Sequence, residues 1–256
     1  MTGADDGELV SRRRHGHVLI VEMRRERKRN AINRELADAI DEALNELEDD
    51  DGLWAGILTH RGPVFSAGSD LTAGGDYVTE RGGEYGIVRR PHRTPIIAAL
   101  EGPALGGGFE IALACDLVVA STDARFGLPE VAIGVVATCA GLFRTPRAFP
   151  LNLARELVLT GQPITAERAH AAGFVNVLTE PGGALDAAIT LAERIVDNAP
   201  LSVQASLAAV NAVLGDVDER GWDETKRAQR AITGTADAAE GVASFLERRP
   251  PQWQAR

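Results

Sequence analysis

Three consecutive glycines, Gly106-Gly107-Gly108, stand between the apolar run Ile96 to Leu100 and a stretch of helical character at residues 109–115. A glycine inside an element costs roughly 0.5–1 kcal/mol relative to alanine, so core packing does not account for three in a row. What glycine offers is room for another group to approach the backbone. The expected arrangement is a buried strand, a tight connection, and a helix that begins at the glycines. A helix start presents unpaired N–H groups and partial positive charge, which suits a developing anion. Glu110 falls in that first turn.

The flanking pattern alternates between strand and helix. Residues 17–23 read as a strand, and Ile32, Leu36, Ala39, Ile40, Ala43, Leu44 and Leu47 then share one helical face. Residues 56–59, 95–100 and 117–120 read as short buried strands, with glycine-rich loops between the units. From Gly183 onward the spacing predicts helices over 185–196, 202–214, 222–232 and 237–246, broken at Pro200 and Gly215. Residues 72–94 carry the least pattern and are expected to form a mobile loop or short helix. The fold class is α/β with a helical extension. A length of 256 residues allows one to two domains at ~150 residues each. The expected division is 9–195 for the α/β core and 196–256 for the helical region.

Composition removes several classes. Lys+Arg of 27 against Asp+Glu of 37 gives a net charge of −10, which disfavours nucleic acid as a partner. No apolar run reaches the roughly 18 residues a membrane span needs, and residues 1–8 lack the apolar stretch of a signal peptide. Cys115 and Cys139 are the only cysteines and form no CxxC pair, so a reducing cytoplasm is the expected compartment. No HExxH or paired CxxC suggests a metal, and the glycine triplet fits neither GxGxxG nor a P-loop. Arg12 to Arg14 read as surface.

Two more segments carry chemistry. In Phe65-Ser66-Ala67-Gly68-Ser69-Asp70-Leu71, Gly68 frees the backbone and Asp70 can accept local N–H groups. Ser69 lacks the flanks of a nucleophile elbow. In Phe126-Gly127-Leu128-Pro129-Glu130, Pro129 fixes the backbone ahead of Glu130. Apolar neighbours (Leu128, Val131, Ile133, Val135) suit a carboxyl that carries a proton near neutral pH.

Together these segments resemble the crotonase superfamily, and within it the enoyl-CoA hydratases. The match runs from about Val18 to Arg249. Its most specific stretches are residues 95–108 and 126–130, joined by 158–161 and 166–175. The resemblance implies a crotonase-like spiral of ββα units with a C-terminal helical trimerisation region. It also implies an acyl-CoA thioester substrate and no separate cofactor, coenzyme A entering as part of the substrate. The family's two oxyanion donors would be the backbone N–H groups of Ser69 and Gly107; Ser69 would contribute only that N–H. Glu110 would act mainly as base toward water and Glu130 as proton donor to C2. Ala67, Gly68, Asp70, Leu71 and Gly106 would line the bound thioester. Thr138 stands where the family's hydratases have a glycine whose N–H holds the catalytic water. Arg25, Arg27 and Arg29 would face the nucleotide end of coenzyme A, and Phe245 and Arg248 would reach a neighbouring subunit's coenzyme A. A homotrimer or a hexamer of two trimers is implied. The alternatives are another crotonase-type reaction, such as enoyl-CoA isomerisation, or a non-catalytic acyl-CoA- or RNA-binding member. Two well-placed carboxylates weigh against the first, and the charge of −10 weighs against RNA.

Overall fold

The structure is a computed structural model that describes residues 8–75 and 77–255. Residues 1–7, which include most of the acidic start read above, lie outside the described residues. The chain opens with β1 (Val10–His15) and β2 (Val18–Met23), followed by α1 (Arg34–Asp49) and β3 (Ala55–His60). A small hairpin, β4 (Val78–Thr79) and β5 (Gly83–Glu84), precedes β6 (Ile96–Leu100), β7 (Ala104–Leu105) and α2 (Gly107–Ala112). Next come β8 (Leu117–Ser121), β9 (Arg125–Gly127), a 3₁₀ turn at Pro129–Ile133, α3 (Gly141–Ala148) and α4 (Leu151–Thr160). The remainder is β10 (Ile164–Thr165), α5 (Ala166–Ala171), β11 (Val177–Thr179), α6 (Ala184–Val196), α7 (Pro200–Ile232) and α8 (Ala236–Glu247).

The main sheet runs β1-β2-β3-β6-β8-β11, parallel except for the edge strand β1. Successive side chains of a strand face opposite ways, so β2 serves two cores. Leu19, Val21 and Met23 join Leu36, Ile40, Leu44 and Leu47 of α1. Val18 and Ile20 join Ala184, Ala188 and Ala192 of α6 on the other face. Asn33 caps α1 by accepting the Leu36 N–H at 3.1 Å, an interaction worth about 1 kcal/mol. A second sheet, β10-β9-β7, takes β7 and β9 from the short strands that follow β6 and β8, and β10 from the segment after α4. The sequence β6-β7-α2, then β8-β9-turn, is the repeating ββα unit.

Three expectations change. The helix after the glycine triplet starts at Gly107 and ends at Ala112, because the glycines themselves form its first turn. Gly215 breaks nothing: α7 is continuous over 33 residues. One glycine costs a helix only about 1 kcal/mol, and no proline interrupts the stretch beyond Pro200 in the first turn. Finally, within residues 72–94, expected to form a mobile loop or short helix, residues 82–88 are buried. Arg90, with its side chain 1% exposed, pairs with Asp41 of α1 and donates to the Asn45 side chain and the Gly86 carbonyl. A Cβ on Gly86 would lie 2.4 Å from the Ala37 carbonyl oxygen, so only glycine lets this segment press on α1.

Candidate active site

The site forms where three short, adjacent strand segments end. Ser66 bridges Ala104 and Ala104 pairs with Phe126, both in parallel. The chain therefore leaves all three segments at one edge, and the loops at residues 67–69, 106–107 and 128–130 come side by side. Each glycine of the triplet has a close neighbour. A Cβ on Gly106 would lie 3.1 Å from Glu130 Oε1, one on Gly107 would lie 2.6 Å from Tyr85 Oη, and one on Gly108 would lie 2.4 Å from the Ser66 carbonyl oxygen. Gly106 also has φ +54° and Gly68 has φ +91°, a region that side chains disfavour. A Cβ on Gly68 would lie 3.1 Å from the Gly107 nitrogen, so these two loops touch.

Carbonyl partners orient the two candidate donors. A trans peptide points its C=O and N–H in opposite directions. The Gly68 carbonyl accepts the Ile32 N–H at 2.8 Å, which aims the Ser69 N–H away from Ile32. The Gly106 carbonyl accepts from Phe109 and Glu110 at 2.8 and 3.0 Å, which aims the Gly107 N–H out of the helix start. Asn30 holds the serine loop from beneath. Its side chain donates to the Arg61 and Val64 carbonyls, and its own carbonyl accepts the Ser66 hydroxyl.

Glu110 is 1% exposed. Its Oε1 accepts the N–H groups of Cys139 and Gly141, each at 2.8 Å, which fixes the carboxyl orientation. Between those donors Ala140 is held at φ +78°, a strain of about 1–2 kcal/mol. Glu130 is the second residue of the 3₁₀ turn, after Pro129, and α8 packs on that turn: a Cβ on Gly134 would lie 2.5 Å from the Asp237 carbonyl oxygen. Thr138 is half-buried beside Cys139, its hydroxyl 3.7 Å from the thiol sulfur.

Tyr85 completes the cluster. It is 1% exposed, its ring lies on Gly107, and its hydroxyl is 2.7 Å from Ser69 Oγ. The sequence matches the family described as enoyl-CoA hydratase/isomerase over residues 13–256.

The chain belongs to that family.

As a member of the enoyl-CoA hydratase/isomerase family, it is similar to a solved carnitinyl-CoA dehydratase from Mycobacterium avium. That structure is 43% identical with a TM-score of 0.92, covering 98% of this chain and 100% of its own. A short-chain-enoyl-CoA hydratase of Clostridium acetobutylicum is 35% identical over 92% of this chain and 94% of its own length. A 2,3-dehydroadipyl-CoA hydratase of Escherichia coli is 31% identical over 97% and 98%, respectively. The crotonase-like α/β expectation agrees with the fold of the solved relative.

Other residues singled out from the sequence of this enoyl-CoA hydratase/isomerase family member have more varied positions. Arg25 turns inward: its guanidinium donates to the Ala31 carbonyl at 2.6 Å and pairs with Asp70 at 2.8 Å. It clamps the serine turn rather than offering a surface charge. The Thr72 hydroxyl bond, then Arg25, hold the Asp70 carboxyl below the usual carboxylate range despite its burial. Ala67 donates its N–H to the Arg29 carbonyl. Arg27, Arg29 and Leu71 are exposed, as are Phe245 and Arg248 on the end of α8. Sequence reasoning missed Tyr85 and Asn30. The only local signal for Tyr85 was an aromatic residue between Gly82-Gly83 and Gly86. A surface cleft lined by Val78, Arg81, Arg89 and Arg90 shares none of the site residues.

Proposed function

We propose that this protein is an enoyl-CoA hydratase, adding water across the double bond of a 2-enoyl-CoA thioester to give a 3-hydroxyacyl-CoA. The observation that carries this reading is the convergence on one helix start of two carboxyl groups and two oriented N–H donors. Glu110 has an anchored Oε1, and Glu130 Oε1 faces Gly106. In the proposed reaction Glu110 takes a proton from water as its oxygen bonds C3. The π pair moves toward the thioester, and the carbonyl oxygen becomes an enolate oxygen held by the Ser69 and Gly107 N–H groups. Such preorganised donors are worth ~3–4 kcal/mol each in comparable sites. C2 then receives a proton from Glu130, and the carbonyl re-forms. Because the two carboxyls share one water, the pair is best described jointly.

Coenzyme A enters as part of the substrate, and the steps call for no metal or redox group. Exposed Arg27 and Arg29 would meet its nucleotide end. We assign a homotrimeric state, with a hexamer as its dimer, to cover exposed apolar residues of α7 and α8: Val210 at 61%, Val213 at 79%, Phe245 at 54% and Leu246 at 56%. In that assembly Phe245 and Arg248 would reach a neighbour's coenzyme A. Two free cysteines suit the cytoplasm. Among the described residues no helix is long and apolar enough to cross a membrane.

A panel of 2-enoyl-CoA thioesters, followed by loss of the conjugated thioester absorbance, tests the reading. Absorbance loss with formation of a 3-hydroxyacyl product supports it. Conversion of 3-enoyl to 2-enoyl thioesters without hydration would overturn it.

A further inference from the structure

Tyr85 is buried within a segment whose neighbours press on α1, and its backbone sits at φ +57°. For a bulky side chain that conformation costs about 1–2 kcal/mol and persists only where surrounding contacts over-determine it. Those contacts are present. The Tyr85 N–H donates to the Tyr77 carbonyl at 2.8 Å, Arg90 ties the segment to Asp41, and Thr79 donates a second bond to the same carboxylate. The result of this construction is the placement of one ring. The Tyr85 ring edge and Oη fill the space where a Gly107 Cβ would stand, 2.6 Å from Oη, on one loop, and Oη hydrogen-bonds Ser69 Oγ on the other. The two residues it bridges are the ones whose N–H groups are assigned to the thioester oxygen.

We propose that Tyr85 is a positioning residue of the oxyanion hole, setting the Ser69 donor through its side chain and the Gly107 donor through ring contact. This inference rests on the assignment of Ser69 and Gly107 to the thioester oxygen. It revises the expectation that the Ser69 side chain is idle. Carbonyl partners fix the direction of each N–H separately; the Tyr85 bridge fixes the distance between them. Distance matters because a donor must meet the oxygen at 2.7–3.1 Å in the transition state, and a misplacement of ~1 Å can cost about 10²-fold in rate.

The test uses the full-length protein with three variants: Tyr85→Phe, Ser69→Ala and the double variant. Phenylalanine keeps the ring beside Gly107 and removes the hydroxyl with its bond to Ser69. The expected result for Tyr85→Phe is a fall of roughly 10–30-fold in kcat with KM changed less than about threefold. Ser69→Ala should match it, and the double variant should be no worse than either, because both remove the same bond. A readout independent of turnover is the absorbance of bound sorboyl-CoA, a conjugated dienoyl thioester whose spectrum moves to longer wavelength as its carbonyl is polarised. Each variant should bind it with a smaller red shift than wild type while keeping the wild-type melting temperature to within a few degrees. An unchanged red shift and kcat in Tyr85→Phe would overturn the proposal, as would losses that multiply in the double variant. A wild-type protein that red-shifts sorboyl-CoA yet hydrates no enoyl thioester would refute the hydratase reading alone, and the variant spectra would still decide the role of Tyr85.

Discussion

Replacing Gly107 with alanine puts a methyl group into a space already filled. The new Cβ would lie 2.6 Å from Tyr85 Oη, 2.7 Å from Cζ and 2.8 Å from Cε2, where ordinary contact begins at 3.4 Å. The ring would have to retreat by about 0.6–0.8 Å. It has little room, since Gly86 behind it already presses on the Ala37 carbonyl and Arg90 ties the segment to Asp41. Overpacking of this size costs about 1–3 kcal/mol. The same displacement would move the tyrosine away from Ser69, and on the proposed assignment kcat should fall by roughly 10–10²-fold. Thermal melting and hydration rates of Gly107→Ala measure both effects. In a Tyr85→Ala background the clash is gone, so adding Gly107→Ala should there cost almost no stability. The double-mutant cycle should show a coupling of about 1–3 kcal/mol. A Gly107→Ala protein with wild-type melting and wild-type turnover would show that Tyr85 does not fill this space.

Asp41→Ala should cost about 3–5 kcal/mol, because it leaves the Arg90 guanidinium buried without its counter-charge; chemical denaturation reads the change. Ala140→Gly should raise stability by up to about 1 kcal/mol by relieving φ +78°, seen as a higher denaturation midpoint. His60 gives a pH signature. Burial pulls its pKa from 6.5 down to about 4, against a smaller upward pull from the Glu101 charge. Its folded pKa is lower than its unfolded one, so its contribution is complete above pH 6.5 and is lost as pH falls toward about 4, at up to ~1.4 kcal/mol per pH unit. Melting curves between neutral and mildly acidic pH should fall less steeply in His60→Gln. His92 has the opposite sign. Burial alone would lower its pKa, but the Asp116 hydrogen bond and charge carry it above 6.5. Its contribution is complete below that value and fades as pH rises through the raised one, so His92→Gln should lose more stability at mildly acidic than at alkaline pH.

Legibility followed the range of the interactions. Strand β2 and helix α1 were plain because their apolar residues repeat with the period of their own element. The loops bearing Ser69, Gly107 and Glu130 were found because glycine and proline mark backbone geometry locally. Tyr85 was not found, because its role depends on Ser69, 16 residues away, and on Gly107. The inward turn of Arg25 has the same cause: a basic run points to the nucleotide end of coenzyme A, and nothing local to it shows the pairing with Asp70. Gly215 reads locally as a break, yet its penalty of about 1 kcal/mol is too small to interrupt a helix continuous on both sides.

On the proposed mechanism Glu110 and Glu130 act together on one water at a thioester site. The most direct measurement is hydration of a 2-enoyl-CoA thioester by Glu110→Gln and by Glu130→Gln, with thioester affinity determined in parallel. An amide keeps the shape of each side chain but cannot exchange a proton as a carboxyl does. Each variant should lose roughly 10²–10⁴-fold in kcat while binding the thioester almost as wild type does. Retention of most activity by either variant would contradict that mechanism.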